Sequence, residues 1–150
     1  MTADWIIRTG DGKNFINSSK FNIWGINSQT SLGKHFLNLV QPGDRLWFVT
    51  SKTNGKLIAV ATYRSHNKRE FGPLINLHFT NEELGWENNT TNWVSDTEIH
   101  YTDVYNLQKC ELLSHIKGVA TIRKYDDKCR VNLPVEYSNI VRYSKVSFSF

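Results

Sequence analysis

Two apolar runs on either side of an Asn-Gly pair constrain the fold of this chain most strongly. The first run, 45–50, follows a Pro-Gly-Asp turn at 42–44, and the second run covers 56–63. Between them lies Asn54-Gly55, a dipeptide typical of type I′ hairpin turns. Because the Leu-Ile-Ala-Val stretch of the second run lacks polar alternation, it indicates burial on both faces. The pattern therefore predicts a buried antiparallel hairpin.

Shorter patterns surround this hairpin and predict an α+β domain. Apolar and β-branched residues predict further strands at 5–9, 74–79, 98–107, 128–135 and 146–150. Helical spacing of apolar residues predicts a helix at 31–40 with Ser31 as its N-cap, a helical turn from 80, and a short helix at 112–116. The polar segment 14–20 is interpreted as a lead-in to the stretch that follows it. We expect a small, curved, partly closed mixed sheet flanked by short helices.

Composition is that of one globular domain, 1–150. The chain has 39% hydrophobic residues and a net charge of +4, which is compatible with an anionic partner and is also ordinary for solubility. Cys110 and Cys129 are too few for a disulfide framework or a metal cluster, so we interpret them as reduced thiols. The first residues lack a signal-peptide pattern, and no apolar run approaches the about 18 residues of a membrane span. These features predict an intracellular protein.

Trp24 lies in the stretch 21–28, which is the leading candidate for a ligand site. The indole has apolar and glycine neighbours, while Asn22, Asn27 and Ser28 bring amide and hydroxyl groups close to it. An aromatic face beside hydrogen-bonding groups suits the stacking and edge recognition of a planar ligand. The alternative interpretation is a core or rim tryptophan, because tryptophan is highly buried on average.

Catalytic and metal-binding patterns are weak in this sequence. It has no glycine-rich phosphate loop and no nucleophile elbow, and its five histidines lack metal-ligand spacing. We therefore predict no cofactor and no metal. A nuclease-like cluster is confined to His66, Lys68, Arg69 and Glu70, which is more simply explained as a solvated basic loop.

Aromatic and basic residues favour a binding function. Trp24, Trp86 and Trp93 lie on or beside predicted loops, whereas Trp5 and Trp47 lie within predicted strands and are assigned to the core. Two or three exposed rings can form a cage around a methylated group or a flipped base. The basic residues predicted to contact phosphates are Arg8, Lys34, Lys68 and Arg69.

Several short motifs in one order resemble a known family. They are Trp5-Ile6-Ile7, Asn22-Ile23-Trp24-Gly25-Ile26-Asn27, Pro42-Gly43-Asp44-Arg45-Leu46-Trp47-Phe48, Gly55-Lys56-Leu57-Ile58-Ala59-Val60-Ala61 and Arg130-Val131-Asn132-Leu133-Pro134-Val135. Their order is similar to that of EVE domains and, more distantly, of YTH domains, both branches of the PUA-like fold. The resemblance leaves 64–95 as an insertion.

This resemblance implies a PUA-like small mixed β-barrel flanked by short helices that binds a modified base of DNA or RNA in an aromatic pocket. Trp24 matches the cage tryptophan of the family, and Gly25 after it favours the EVE branch over the YTH branch. The pocket residues implied by the resemblance are Trp24, Asn27, Ser28, Thr9, Asn14, Arg130 and a second wall from Trp86 or Trp93.

The leading hypothesis is a non-catalytic reader of a modified base in nucleic acid, which we expect to be methylated, without a membrane or metal partner. Two alternatives stay open. One is a nucleic-acid hydrolase that uses the 66–70 loop with Glu70 as its carboxylate. The other is a protein-interaction module in which Trp86 and Trp93 form a hot spot.

Overall fold

A computed structural model describes residues 2–10, 12–50, 57–68, 96–107 and 122–124. The described elements are β1 (Asp4–Arg8), α1 (Lys13–Ser19), β2 (Ile23–Ile26), α2 (Ser31–Leu39), β3 (Arg45–Val49), β4 (Leu57–Lys68), β5 (Thr97–Asn106) and β6 (Ile122–Lys124). The six described strands form one sheet in the order β2-β5-β4-β3-β1-β6. The sheet is mixed because β1 runs parallel to β3 while the other pairs are antiparallel. It curls into a half-barrel with two helices, which confirms the α+β class.

The predicted hairpin is confirmed in its two strands. β3 and β4 pair antiparallel from Arg45 opposite Thr62 to Phe48 opposite Ala59. The Asn-Gly turn lies outside the described residues. β4 continues to Lys68 and pairs there with Thr97, so the first five residues of the expected insertion belong to the sheet. β4 continues past the first residue of β3 because β5 still supplies a hydrogen-bonding partner there.

Extra residues in β4 and β5 bend the sheet. Arg64 has no counterpart in β5, because Tyr63 pairs with Tyr101 and Ser65 with His100, its immediate neighbour. β5 carries its own extra residue near Asp103, whose φ of 52° is left-handed. Such β-bulges increase the local twist and bend the strand. Asp103 thus lies at a bulge in β5, and the position of this strand along the chain is otherwise as predicted.

The concave core is rich in aromatic side chains. Trp5, Phe48 and Tyr101 line it from three strands, while Phe15 of α1 and Phe36 of α2 cover it from the helices. Trp5 is 1% exposed and Trp47 is fully buried, which confirms that both tryptophans are core residues.

The buried carboxylate of Asp44 connects β1 to the turn before β3 through hydrogen bonds. Asp44 accepts hydrogen bonds from the backbone N–H groups of Ala3 and Gln41 and from Nε1 of Trp5, at 3.0–3.1 Å. Arg45 forms a bidentate ion pair with Asp4, at 2.6 and 2.9 Å. Buried polar groups are tolerated when they are satisfied in this way. The Pro-Gly-Asp turn therefore stabilises the sheet as well as reversing the chain.

The helices differ in part from the sequence prediction. Helix α1 replaces the expected polar lead-in, because burial of Phe15 and Ser18 gives it an inward face. Helix α2 is confirmed, but Thr30 is its N-cap in place of Ser31, and its hydroxyl accepts from the N–H of Gly33. Leu32 and Leu39 of the predicted apolar face are exposed.

None of the helices in the described ranges has the length and apolar character needed to cross a bilayer. The strands predicted at 74–79, 128–135 and 146–150 and the helices predicted from 80 and at 112–116 lie outside those ranges. Strand β6 was not expected, because only three residues form it and they lack a recognisable pattern.

We predict that Gly33→Ala destabilises the fold although alanine favours a helix. A Cβ at Gly33 would lie 2.0 Å from the backbone oxygen of Asn27 and 2.9 Å from Oγ1 of Thr30. Overpacking costs about 1–3 kcal/mol, which we expect to exceed the gain of about 1 kcal/mol in helix propensity. Urea unfolding of Gly33→Ala beside Lys34→Ala, an exposed neighbour on α2, measures the difference. A Gly33→Ala protein as stable as the control would contradict this packing.

Candidate functional site

Trp24 lies on strand β2 and not on a loop, which corrects the sequence prediction of its location. It is 4% exposed, and its ring packs 6.3 Å from those of both Phe15 and Phe48. Because these core neighbours cover the indole, stacking of a ligand on it would require the core to open. The burial agrees with the alternative interpretation of a core tryptophan, and its part in base binding stays a prediction.

Asn27 and Ser28 hold the connection between β2 and α2. Oδ1 of Asn27 accepts from the N–H of Gln29 at 2.9 Å. Ser28 donates its N–H and its hydroxyl to the two carboxylate oxygens of Asp96, at 2.7 and 2.5 Å. Burial alone would raise the pKa of Asp96, but hydrogen bonds led by those from Ser28 outweigh it and lower the pKa. Both residues therefore have structural partners in place of an exposed base-reading edge.

The other predicted pocket residues lie on or beside other elements, or outside the described residues. Thr9 is buried and donates its hydroxyl to the carbonyl of Val49 at 3.0 Å, next to the end of β1. Asn14 lies on α1 and is half-buried. Trp86, Trp93 and Arg130 lie outside the described residues.

The predicted phosphate contacts are spread over three elements. Arg8 ends β1, Lys34 lies on α2 and Lys68 ends β4, and all three are exposed. Arg69 lies outside the described residues. Residues on separate elements can contact phosphates singly.

The proposed hydrolase cluster is divided between the sheet and the undescribed segment. His66 lies on β4, and its Nδ1 is 2.5 Å from the hydroxyl of Tyr63. Burial lowers the pKa of His66, while burial and then the nearby Asp44 charge raise the pKa of Tyr63. His66 is therefore partnered with a core tyrosine on a strand, and Glu70 lies outside the described residues.

A cavity of about 410 Å³ opens where the start of β2 meets β4 and β5. We call it the Phe21 cavity, and its lining residues are Phe21, Asn22, Arg64, Ser65, Asn67, His100 and Tyr101. The sequence analysis placed Phe21 and Asn22 in the candidate stretch 21–28, and it did not identify the other lining residues. The pairing of β4 with β5, which the sequence did not reveal, brings these residues together.

Local backbone geometry positions the lining of this cavity. Asn22 has a left-handed φ of 57°, and its carbonyl accepts from the N–H of Tyr101 at 3.3 Å. Asparagine tolerates this conformation better than most residues. Phe21, just before it, is 39% exposed. The turn from α1 into β2 therefore presents an aromatic ring and an amide at the cavity.

Strand alternation places the polar lining on the convex face of the sheet. Ile99 and Tyr101 of β5 belong to the concave core, so His100 between them points to the opposite face. Ser65 pairs with His100, and the extra residue at Arg64 allows both Arg64 and Ser65 to line the same cavity. The bulge thus adds a cation to a surface of hydrogen-bonding groups.

The donor set of the cavity suits an organic or anionic ligand better than a metal ion. Among the described residues, its lining offers one imidazole and no carboxylate. Within the described ranges, no group of three or more His, Cys, Asp and Glu side chains is arranged to hold a metal ion. Amide, hydroxyl and guanidinium groups instead recognise hydrogen-bonding edges and anions.

Comparison with models of protein families and with curated proteins gives no match for this chain. An exposed ring, two amides, a hydroxyl and a guanidinium meet in one concave surface.

We predict that Trp24→Ala lowers the free energy of unfolding by about 3–5 kcal/mol, because truncation of a buried tryptophan leaves a large cavity. Trp24→Phe, which keeps an aromatic ring between Phe15 and Phe48, should cost less. Urea unfolding followed by circular dichroism measures both. An unfolding free energy of Trp24→Ala within about 0.5 kcal/mol of wild type would show that the indole is not a core element.

We also predict that Asp96 contributes to acid sensitivity. Its pKa is lowered in the folded protein, so its stabilising effect is present above the ordinary aspartate pKa and is lost as pH falls through the folded value. Wild type should lose more stability than Asp96→Asn between pH 6 and pH 3. Asp103→Asn, at an exposed position of the same region, is the control. An equal loss in wild type and Asp96→Asn would contradict the hydrogen-bonded carboxylate.

Proposed function

We propose that this chain is a non-catalytic nucleic-acid-binding module that takes one unstacked base into the Phe21 cavity. The observation that carries the proposal is the meeting of an exposed aromatic ring, amide groups and an arginine in one cavity. Each of the three supplies a different part of nucleotide recognition. Together they favour a single-stranded or flipped nucleotide over a duplex, in which the base faces are covered.

Phe21 is the proposed stacking platform. The ring is 39% exposed at the cavity, although phenylalanine is among the residues most often buried. Stacking of a base on an aromatic side chain is worth about 1–3 kcal/mol and tolerates any base. A volume of about 410 Å³ also falls within the range of about 300–1,000 Å³ that is usual for small-molecule sites.

Asn22, Ser65 and Asn67 are the proposed groups that read the base edge. An amide offers both donors and an acceptor, and a hydroxyl offers either, which matches the mixed edges of nucleobases. Arg64 beside them supplies a charge for the phosphate backbone. The lining of one cavity therefore offers contacts both to a base and to the phosphate backbone of a nucleic acid.

A modified, for example methylated, base is the finer form of the proposal and follows from the resemblance to EVE domains. In that form Phe21 is the aromatic wall that stacks on the base, a role for which the resemblance implied Trp24. Trp86 and Trp93 stay candidates for a second wall. The described cavity itself supports the base and phosphate contacts without favouring one modification.

We predict that Phe21→Ala weakens binding of a short single-stranded oligonucleotide by about 5- to 100-fold, the equivalent of one lost stacking contact. Arg64→Gln should weaken binding and reduce the salt slope by about one. Fluorescence titrations at 50 and 200 mM salt measure both effects, with unmodified and N6-methylated adenine compared in the same oligonucleotide.

Two matched variants serve as controls for this experiment. Leu39→Ala removes another exposed apolar side chain, on α2, and Lys124→Gln removes an exposed charge on β6, at the other edge of the sheet. Both should bind as wild type does. Binding that Phe21→Ala leaves unchanged, or that wild type lacks for every oligonucleotide, would contradict the proposal. Cleavage of the oligonucleotide would instead favour the hydrolase alternative.

A further inference from the structure

The bulge at Arg64 brings two side chains that are three residues apart onto one face of β4. In a regular strand such residues point to opposite faces. The extra residue shifts this alternation, so that Tyr63 belongs to the concave core and His66 lies opposite Ile99, another core residue. The hydroxyl of Tyr63 is 2.5 Å from Nδ1 of His66. A hydrogen bond therefore spans the bulge on its concave side.

The Tyr63 end of this hydrogen bond is fixed by the core. The ring of Tyr63 packs edge-on against Phe36 of α2, with 6.0 Å between the ring centroids. Its N–H donates to the carbonyl of Asp44, and its carbonyl accepts from the N–H of Gly43. Burial lowers the pKa of His66, whereas burial and then the Asp44 charge raise the pKa of Tyr63. The bond therefore joins a neutral imidazole to a protonated hydroxyl above pH 7.

Arg64 and Ser65, which the bulge contains, are not held by their own side chains. Both side chains are exposed and line the Phe21 cavity. Among the described residues, neither has a hydrogen bond or an ion pair through its side chain. Arg64 also lacks a pairing partner on β5. Their positions therefore depend on the backbone to either side, which the bond between Tyr63 and His66 ties together.

We propose that the hydrogen bond between Tyr63 and His66 is a clamp that keeps the bulge of β4 in the shape that presents Arg64 and Ser65 to a ligand in the Phe21 cavity. Tyr63 and His66 are positioning residues, because their side chains lie on the face of the sheet opposite the polar lining. The proposal rests on the proposed function and deepens it. A bulge that is already ordered spares the complex the conformational entropy that ordering it on binding would cost.

The clamp acts on the phosphate contact and not on the stacking contact. Arg64 is the bulged residue itself, whereas Phe21 precedes β2 and does not depend on the bulge. At pH 7.5, Tyr63→Phe should weaken oligonucleotide binding by about 3- to 10-fold, the equivalent of one neutral hydrogen bond. It should also lower the salt slope between 50 and 200 mM salt, as Arg64→Gln does. Loss of stability alone, in a protein that is still folded, leaves the salt slope unchanged.

Double-mutant cycles locate the effect of the clamp. In an Arg64→Gln background, Tyr63→Phe should have little further effect on binding. In a Phe21→Ala background, it should keep its full effect. Equal effects of Tyr63→Phe in the wild-type and Arg64→Gln backgrounds would contradict the proposed action through Arg64.

Substitutions of His66 test the other end of the clamp. His66→Ala should behave as Tyr63→Phe does, and it replaces that variant if Tyr63→Phe does not fold. His66→Asn should bind as wild type does, because asparagine offers both an acceptor and a donor near the position of Nδ1. Tyr105→Phe on β5 and His35→Ala on α2 are the matched controls and should also bind as wild type does. Circular dichroism checks that each variant is folded.

The failures of the two proposals are distinguishable. If wild type binds the oligonucleotide, Phe21→Ala weakens binding, and Tyr63→Phe and His66→Ala keep the affinity and salt slope of wild type, the clamp is overturned while the proposed function stands. If wild type binds no oligonucleotide, the proposed function is overturned together with the role of the clamp in binding. Hydrogen exchange of the Arg64 and Ser65 amides tests the clamp without a ligand, and exchange no faster in Tyr63→Phe than in Tyr105→Phe would overturn it.

Discussion

Hydrogen bonding of β4 to two neighbours is the interaction on which the rest of the sheet depends. β4 pairs with β3 on one side and β5 on the other, and β5 in turn holds β2. Its early residues are almost fully buried, whereas the residues after Tyr63 reach the surface. One strand therefore supplies both part of the core and part of the candidate site. The change occurs at Arg64, where an extra residue interrupts the pairing with β5.

Hydrogen-bonded carboxylates anchor two regions of the sheet. Asp44 satisfies two backbone donors and the indole of Trp5 near β1, and Asp96 satisfies Ser28 near β2. These carboxylates are surrounded by donors in the described structure.

Local patterns in the sequence were sufficient for part of the sheet and one helix, and they missed β2 and β6. The apolar runs identified β1, β3, β5 and the first half of β4, and the spacing around Phe36 identified α2. Helix α1 was not predicted because five of its seven residues are polar, and its inward face is defined by tertiary burial of Phe15. The extension of β4 past Tyr63 was not predicted, because its polar residues are typical of a loop. Only the pairing with β5 shows that they form a strand.

The candidate site was harder to predict than the fold for the same reason. Trp24 was predicted to bind a ligand because amide and hydroxyl groups lie near it in the sequence. Alternation along β2 instead directs its side chain into the core. The Phe21 cavity depends on a left-handed residue at Asn22 and a bulge at Arg64. Neither has a signal that can be recognised without knowing which strands pair. The resemblance to EVE domains stays an expectation about function. The position proposed for the pocket comes from the cavity lining instead.

Backbone amide chemical shifts of the wild-type protein, followed by NMR during titration with a short single-stranded oligonucleotide, test the central claim most directly. Base binding in the Phe21 cavity predicts that the largest shift changes cluster at Phe21, Asn22, His100 and the β4 segment from Arg64 onward, with small changes at α2 and β6. Changes centred on other elements, or no changes at saturating oligonucleotide, would contradict the assignment of this cavity as the binding site.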